Sequence, residues 1–465
     1  MDDISCNLLV IGAGPGGYAC AIRAGQLGID TIVVDAQKPG GTCLNVGCIP
    51  SKALIHAAEQ FETIVRAASA KNDLGIHASP PTLDLARTIA WKDDIVRRLN
   101  TGVAGLLKKA GARLITGRAR FADGKTVEVE TPAGVQTIHA ETVVIASGSE
   151  PAALPFLPFE GRVISSTEAL ALTEIPQKLV IVGAGYIGLE LGTALCKLGA
   201  DVTVVEIEPR ILPQYDAELS EPVAKRLRAL GVTVLTGAKA KGLAADGAAL
   251  AIETANGQPT TLAADKILVT VGRKPATRGF RLELLDLDMD GQFIRIDDHC
   301  RTSMRGVYAI GDVTGEPMLA HRAIAQGEMV AEIVAGKKRA WDKTCIPAIC
   351  FTDPEIVTAG LSPDEAKAAG LDIKTDFFPF RANGRALSLD REDGFIRVVS
   401  RSDNHVLLGI QGVGAGISEL SAAFSLAIEM SARLEDVGGT IFAHPTQSEA
   451  FHEAALKSLG HAIHI

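Results

Sequence analysis

Two stretches of the chain carry the same succession of apolar and polar positions. Leu8-Leu-Val-Ile is an apolar strand that runs into Gly12-Ala-Gly14-Pro-Gly-Gly17. A helical pattern to Gly28 follows, then a second strand, Thr31-Ile-Val-Val, that closes on Asp35. The pattern recurs as Leu179-Val-Ile-Val, Gly183-Ala-Gly185-Tyr-Ile-Gly188, a helical stretch to Gly199, and Val202-Thr-Val-Val closing on Glu206. In both copies the acidic residue lies 23 positions after the first glycine.

This spacing has a mechanical reason. The first glycine makes the sharp strand-to-helix turn, the second lets backbone approach a pyrophosphate, and the third lets helix and strand pack closely. The pyrophosphate sits on the helix N-terminus, where unpaired N–H groups favour anions, and the closing carboxylate accepts hydrogen bonds from a ribose. One such motif also occurs in glycine-rich turns that serve packing alone; two complete units argue for two dinucleotides, a flavin and a nicotinamide. Glu206 would repel a 2′-phosphate, and the nearest arginine, Arg210, comes four residues later, so NAD is expected over NADP.

Composition narrows the class. The 465 residues suggest about three domains. Hydrophobic residues at 47% and charged residues at 22% describe a folded globular chain. A net charge of −9 argues against nucleic acid or an anionic membrane as the main partner. No apolar run is long enough to span a bilayer; the longest candidate, from Leu179, carries Glu190 and several glycines. Met1-Asp2-Asp3 offers no basic signal region, and eight cysteines are too few for a secreted disulfide framework. A cytoplasmic location is expected, where any cysteine pair that matters is catalytic rather than structural.

Such a pair follows the first unit, in Gly40-Gly-Thr-Cys43-Leu-Asn-Val-Gly-Cys48-Ile-Pro-Ser-Lys52. Pro50 suits the first turn of a helix from Ser51 to Val65, which places Cys48 at a helix N-terminus. The dipole and Lys52 would then lower its pKa. In a straight helix the two cysteines would be about 7.5 Å apart along the axis, beyond a disulfide's usual span of roughly 4.4–6.8 Å. The segment must therefore be irregular, which Gly47 permits, and such a bond would be readily reduced. Two free buried thiols are the alternative reading of the spacing. Cys345-Ile-Pro-Ala-Ile-Cys350 repeats the spacing without glycine or lysine and reads as the start of a buried strand. Cys6, Cys20, Cys196 and Cys300 read as small core residues.

No metal site is expected. Asp286-Leu-Asp288-Met-Asp290-Gly291 resembles half of a calcium loop, but its twelfth position is Asp297 rather than Glu, so it reads as a polar hairpin turn before Phe293-Ile-Arg-Ile. His444-Pro-Thr446-Gln-Ser-Glu449 places an imidazole before a helix that begins with a carboxylate. A carboxylate on one ring nitrogen raises the basicity of the other, as a general base requires; a surface turn with a helix cap is the alternative. His461 and His464 are read as tail residues without such a partner.

Together, the paired fingerprints, the Gly40–Leu54 segment, Thr302-Ser-Met-Arg-Gly-Val-Tyr-Ala-Ile-Gly-Asp312-Val and the His444–Glu449 segment resemble the flavin-dependent pyridine nucleotide–disulfide oxidoreductases over essentially the whole chain. The nearest pattern is the branch that oxidises dihydrolipoamide within 2-oxoacid dehydrogenase complexes, those of branched-chain type included. The resemblance implies an α/β, glutathione reductase-like fold with two Rossmann-like dinucleotide-binding domains and an α+β C-terminal dimerisation domain. Its divisions are an FAD domain at 1–148, an NAD domain at 149–272, a central domain at 273–342 that completes the FAD site, and an interface domain at 343–465. It implies FAD at Gly12, Gly14, Gly17 and Asp35, Asp312 on the ribityl chain, and the returning strand at Ser147, where the family usually has Thr. Asp35 stands where Glu is commoner. The resemblance implies further cofactor contacts at Gly117, Ala320 and Gly272.

The resemblance also implies that Cys43 is the interchange thiol and Cys48 the thiol facing the flavin, joined as a disulfide that dihydrolipoamide reduces. His444 takes the dithiol's proton, oriented by Glu449, and acts on the cysteine pair of the other subunit, which requires a homodimer. Lys52 and Glu190 match an ion pair beside the flavin. The lipoyl domain and the acyltransferase (E2) core are the implied partners. Tyr186 departs from the branch, which often has an aliphatic residue there. The rivals are an NAD(P)H-dependent reductase of another disulfide, against which Glu206 and Ile49-Pro-Ser-Lys52 argue, and a subunit with a mainly structural docking role.

Overall fold

The computed structural model describes residues 3–69, 74–245 and 247–465, so Met1 and Asp2 of the N-terminal reading lie outside the described residues. The apolar strand Ile4–Ile11 lies inside a seven-stranded sheet, with Thr31–Asp35 and then Arg113–Thr116 parallel on one side and Gly134–Ile145 parallel on the other. Leu8, Leu9 and Val10 have no exposed surface, as a strand covered on both faces requires. Gly134–Ile145 serves two neighbourhoods. Its first half pairs antiparallel with Thr126–Thr131, part of a meander that begins at Arg118–Phe121, while Val143–Ile145 accepts Val307–Ala309 as a parallel neighbour. The first unit is thus discontinuous, and its closing strand arrives only after the second unit. The helix that follows, Ala320–Val334, packs on Pro15–Gln26 so closely that a Cβ on Gly327 would lie 2.3 Å from the Gly16 carbonyl oxygen.

The second unit repeats the plan. Lys178–Val182 is flanked by Asp201–Val205 and Thr233–Leu235 on one side and by Lys266–Val269 and Val163–Ile164 on the other, all parallel. An antiparallel meander, Lys239–Leu243, Ala249–Glu253 and Pro259–Ala263, again accompanies it. The turn glycines are matched too. Gly12 has φ +103° and Gly183 has φ +101°, and a Cβ on each would meet the backbone oxygen just past a neighbouring strand, Ala146 at 2.2 Å and Thr270 at 2.7 Å. Only glycine fits both the conformation and the space.

The third unit is an antiparallel sheet in the order Ala348–Cys350, Glu355–Gly360, Leu407–Gly414, Phe395–Arg401, Ile373–Pro379. Helices Ser421–Glu429 and Glu449–Ser458 close its core around Phe378, Phe424 and Phe451, the last two meeting edge to face at 5.3 Å. This is the α+β unit expected at the C-terminus.

A charged cluster joins the units. Lys197, from the second fingerprint helix, bonds Glu62 at 2.9 Å and Asp353 at 2.7 Å. Arg226 reaches the same two carboxylates, and Arg391 takes the other oxygen of Asp353. Burial alone would raise the Asp353 pKa, but Arg391, Lys197 and Arg226 outweigh it and hold this carboxyl well below the usual range.

Three local expectations need correction. The helix after the cysteine loop starts at Cys48 and runs to Ala68, because Pro50 is tolerated inside a first turn whose N–H groups lack intrahelical partners anyway. The strand near Cys345 begins only at Ala348; Cys345 lies outside it, with its N–H bonded to Glu429 at 3.1 Å. His464 does have a carboxylate partner, since its Nδ1 lies 2.7 Å from Oε1 of the buried Glu453. The sequence could not reveal that pairing because the tail's path back to the helix is a tertiary matter. The Asp286–Gly291 segment is a hairpin turn as expected, pairing Met289–Asp290 with Phe293–Ile294.

Candidate active site

The cysteine loop is two helices broken at one residue, Gly41–Val46 and Cys48–Ala68 with Gly47 between them. A Cβ on Gly47 would lie 2.9 Å from the Thr42 oxygen and 3.2 Å from Cys43 Cα, so a larger residue would push the chain away from Cys43. This break is the irregularity that the five-residue separation demanded. It brings the two free thiols within hydrogen-bonding reach. The hydrogen bond, followed by burial, drives the Cys43 thiol far up. The same bond, with help from Lys52 and against burial, brings Cys48 down to about 7. Cys48 also heads a 21-residue helix, where the positive end of the dipole favours a thiolate. Asn45 ties the loop down, donating to Gly41 at 2.9 Å and accepting from the buried Asn100 at 2.9 Å.

Cys43 and Cys48 open onto a cleft of about 410 Å³, walled also by Gly12, Gly14, Asp35, Lys52, Ser147, Glu190, Asp312 and Ala320. Asp35 is braced at the strand end, accepting the N–H of Ala13 at 2.6 Å and of Gln37 at 2.8 Å, while burial raises its pKa. Lys52 and Glu190 pair at 2.8 Å. Asp312 accepts the Ser149 hydroxyl, and Ser149 in turn receives Nε of Arg273 at 2.8 Å. An FAD fits these residues. The helix Pro15–Gln26 opens without a side-chain cap, and the buried Ser147 hydroxyl has no partner within the protein. Gly17 stays out of the wall because it packs on Gly12, whose oxygen lies 1.9 Å from where its Cβ would be. Gly117 lies behind Asp35, donating its N–H to the Asp35 carbonyl at 2.9 Å.

A second cleft, about 1090 Å³, is walled by Gly183, Gly185, Glu206 and Gly272. Glu206 repeats the bracing of Asp35, accepting from Ala184 and from Glu208 at 2.8 Å. Gly188, like Gly17, serves packing, with Gly183 O 2.5 Å from its would-be Cβ. Arg210 is occupied with the carbonyls of Leu212 and Pro213, at 3.1 and 2.7 Å, and is not spare for a phosphate. Tyr186, Ile187 and Arg273 line both clefts and form the wall between them.

His444 lines neither cleft and is 79% exposed. Its Nδ1 lies 2.9 Å from Oε1 of Glu449, whose other oxygen accepts the Thr446 N–H at 2.7 Å. Burial would raise the Glu449 pKa; the Thr446 N–H and His444 outweigh it and lower it. The pair therefore exposes one imidazole nitrogen with its tautomer anchored from behind.

Residues 6–327 match the pyridine nucleotide-disulphide oxidoreductase family. The chain belongs to that family. Residues 346–455 match its dimerisation domain, the mark of a homodimer. A dihydrolipoyl dehydrogenase of Pseudomonas aeruginosa is 57% identical, with 99% of each chain covered. The Geobacillus stearothermophilus dihydrolipoyl dehydrogenase is 43% identical, with 99% of this chain and 98% of that one covered. Among solved structures, LpdA of Mycobacterium tuberculosis superposes with TM-score 0.89 at 26% identity, covering 97% of this chain and 99% of that one. The HOCl-induced flavoprotein disulfide reductase RclA of Escherichia coli, at 24% identity and TM-score 0.86, covers 98% of this chain and 99% of its own, and shares the fold.

As a pyridine nucleotide–disulphide oxidoreductase, the chain uses FAD and NAD(H). No helix among its described residues is long and apolar enough to cross a membrane. Arg273 and Ser149 were missed in the sequence. The one usable signal was adjacency, since Arg273 follows Gly272 and Ser149 follows the returning strand.

Proposed function

We propose that this protein oxidises protein-bound dihydrolipoamide to lipoamide and reduces NAD+ to NADH through a Cys43–Cys48 disulfide. The observation that carries the reading is the helix break at Gly47, which turns Cys43 and Cys48 into one cleft together with Lys52. A substrate thiolate attacks Cys43 of the oxidised pair; the Cys43–Cys48 bond breaks and Cys48 leaves as thiolate. The second substrate thiolate displaces Cys43, the lipoamide ring closes, and the pair is left reduced by two electrons. Of the two substrate protons, one goes to the exposed nitrogen of His444, anchored by Glu449 and acting on the partner subunit's site, and the other ends on the displaced Cys43 sulfur. Bound FAD supplies a two-electron carrier able to reduce NAD+.

In this reading residues 1–148 bind FAD, 149–272 bind NAD, 273–342 complete the FAD site, and 343–465 form the dimer interface. The substrate is the lipoyl domain carried on an acyltransferase (E2) core, and the setting is the cytoplasm, whose thiol pool keeps such pairs in play. Full-length similarity to dihydrolipoyl dehydrogenases supports this over a reductase of glutathione disulfide. Anaerobic titration of the yellow enzyme with dihydrolipoamide tests it. A long-wavelength thiolate-to-flavin band and NAD+ reduction are expected; a strong preference for NADPH with glutathione disulfide would sink the reading.

A further inference from the structure

Lys52 is held on more than one side. Its Nζ bonds Oε2 of Glu190 at 2.8 Å and stands 4.4 Å from the centroid of the Phe351 ring. Glu190 is itself fixed, with only 4% of its side chain exposed and its other oxygen accepting the Phe351 N–H at 2.9 Å. Phe351 follows the edge strand Ala348–Cys350 of the third unit and lines neither cleft. One residue of the dimerisation unit thus grips both members of an ion pair in the redox cleft, Glu190 through its backbone and Lys52 through its ring.

We propose that Phe351 is a positioning residue: its ring holds the Lys52 ammonium at a fixed place beside the Cys43–Cys48 pair. A cation over an aromatic face is attracted by the ring quadrupole, more strongly when sheltered from water. A lysine with one carboxylate partner could swing about that contact; the ring removes this freedom and keeps the charge near the sulfurs.

The groups facing the pair make Lys52 the handle. On its own helix there is Lys52; on the short helix before it, Cys43; on the first helix, Tyr18; on the second fingerprint helix, Tyr186 and Glu190. Cys350 and Tyr215 face Glu190 from behind. Burial pushes Cys350 up to about 12 and raises all three tyrosines, so these stay neutral in the assay range. After the Cys43 hydrogen bond, the Lys52 charge is the next influence that favours the Cys48 thiolate, and it also pulls against the rise at Cys43, so its placement bears on how readily Cys48 ionises.

The inference rests on the reading under Proposed function, and the test separates the two. In two-electron-reduced holoenzyme, the pH midpoint of the thiolate-to-flavin band is compared between the unaltered protein, Phe351→Met and Phe351→Tyr. Phe351→Met keeps the backbone bond to Glu190 and much of the volume but loses the ring. Its midpoint should rise by about half a pH unit, roughly threefold in thiolate at fixed pH, and Phe351→Tyr should restore the original value. Because the methionine variant risks misfolding, Phe351→pentafluorophenylalanine supplies the second arm: it keeps the ring's outline and removes its negative face, and should raise the midpoint likewise. An unmoved midpoint in the fluorinated protein, or a tyrosine variant that fails to restore it, overturns the proposal. Absence of the band in the unaltered protein would instead overturn the reading of function.

Discussion

Asp353→Asn offers the sharpest test of how the units are joined. Lys197 at 2.7 Å, Arg226 at 2.9 Å and Arg391 converge on this carboxylate, with Glu62 paired to Lys197 and Arg226 and Glu59 acting on Lys197 and Arg391 from nearby. The amide keeps the volume and removes the charge, leaving Lys197 and Arg226 on Glu62 and Arg391 without its direct ion-pair partner. Truncating one partner of a buried ion group costs about 3–5 kcal/mol. Arg226 and Arg391 keep 25% and 33% of their side-chain surface and can turn to water, whereas Lys197, at 3%, cannot. The lower end is therefore expected, about 3 kcal/mol, or about two orders of magnitude in the unfolding equilibrium. Urea unfolding at neutral pH should show the first transition moved to lower denaturant, read as that transition alone because a chain of several units does not unfold in two states. The depressed pKa adds a pH signature. The folded carboxyl lies below its ordinary value of 3.8, so its contribution is complete above 3.8 and drains away as the pH falls from there towards the folded value. The gap between variant and unaltered protein should narrow in that acid window. A loss under about 1 kcal/mol at neutral pH, the level of exposed pairs, would refute the assigned role.

Cys48→Ser should abolish the thiolate-to-flavin band while leaving flavin bound, with Cys43→Ser retaining the band; a band that survives in Cys48→Ser reverses the assignment. His444→Gln should lower turnover by about 10²–10⁴-fold with flavin content unchanged, and Glu449→Gln should lower it in the same direction by weakening the hold on Nδ1. Less than tenfold loss for His444→Gln in steady-state assays removes it as the base. Tyr186→Val should leave lipoamide turnover largely intact although the ring lines both clefts; a fall in NAD+ turnover above about tenfold, or about 1.4 kcal/mol, argues that the tyrosine takes part.

Local chemistry was the most legible part of the chain. Gly12 and Gly183 announce a sharp strand-to-helix turn, and both make it with a positive φ that glycine alone takes easily. Asp35 and Glu206 close their strands and are braced by equivalent N–H groups. His444 and Glu449 sit five residues apart and meet through one short turn. What stayed hidden depends on contacts far apart in sequence. Nothing near Glu62 points to Lys197, Arg226 or Asp353, and nothing near Lys52 points to Phe351, because such partners are chosen by packing between units. His464 was misjudged for the same reason: Glu453 is near in number, but the tail must turn back to reach it.

The split strand Gly134–Ile145 has a consequence for how the chain acquires its shape. Val143–Ile145 must wait for Val307–Ala309, and the whole second unit is made in between. At about 5–20 residues per second, the roughly 160 intervening residues hold that sheet edge open for about 10–30 s of synthesis. The second unit, continuous in sequence, can settle meanwhile. During that interval the exposed backbone of Val143–Ile145 is the nascent chain's most open invitation to mispairing, so a ribosome paused before Val307 should leave the first unit protease-sensitive while the second is already resistant.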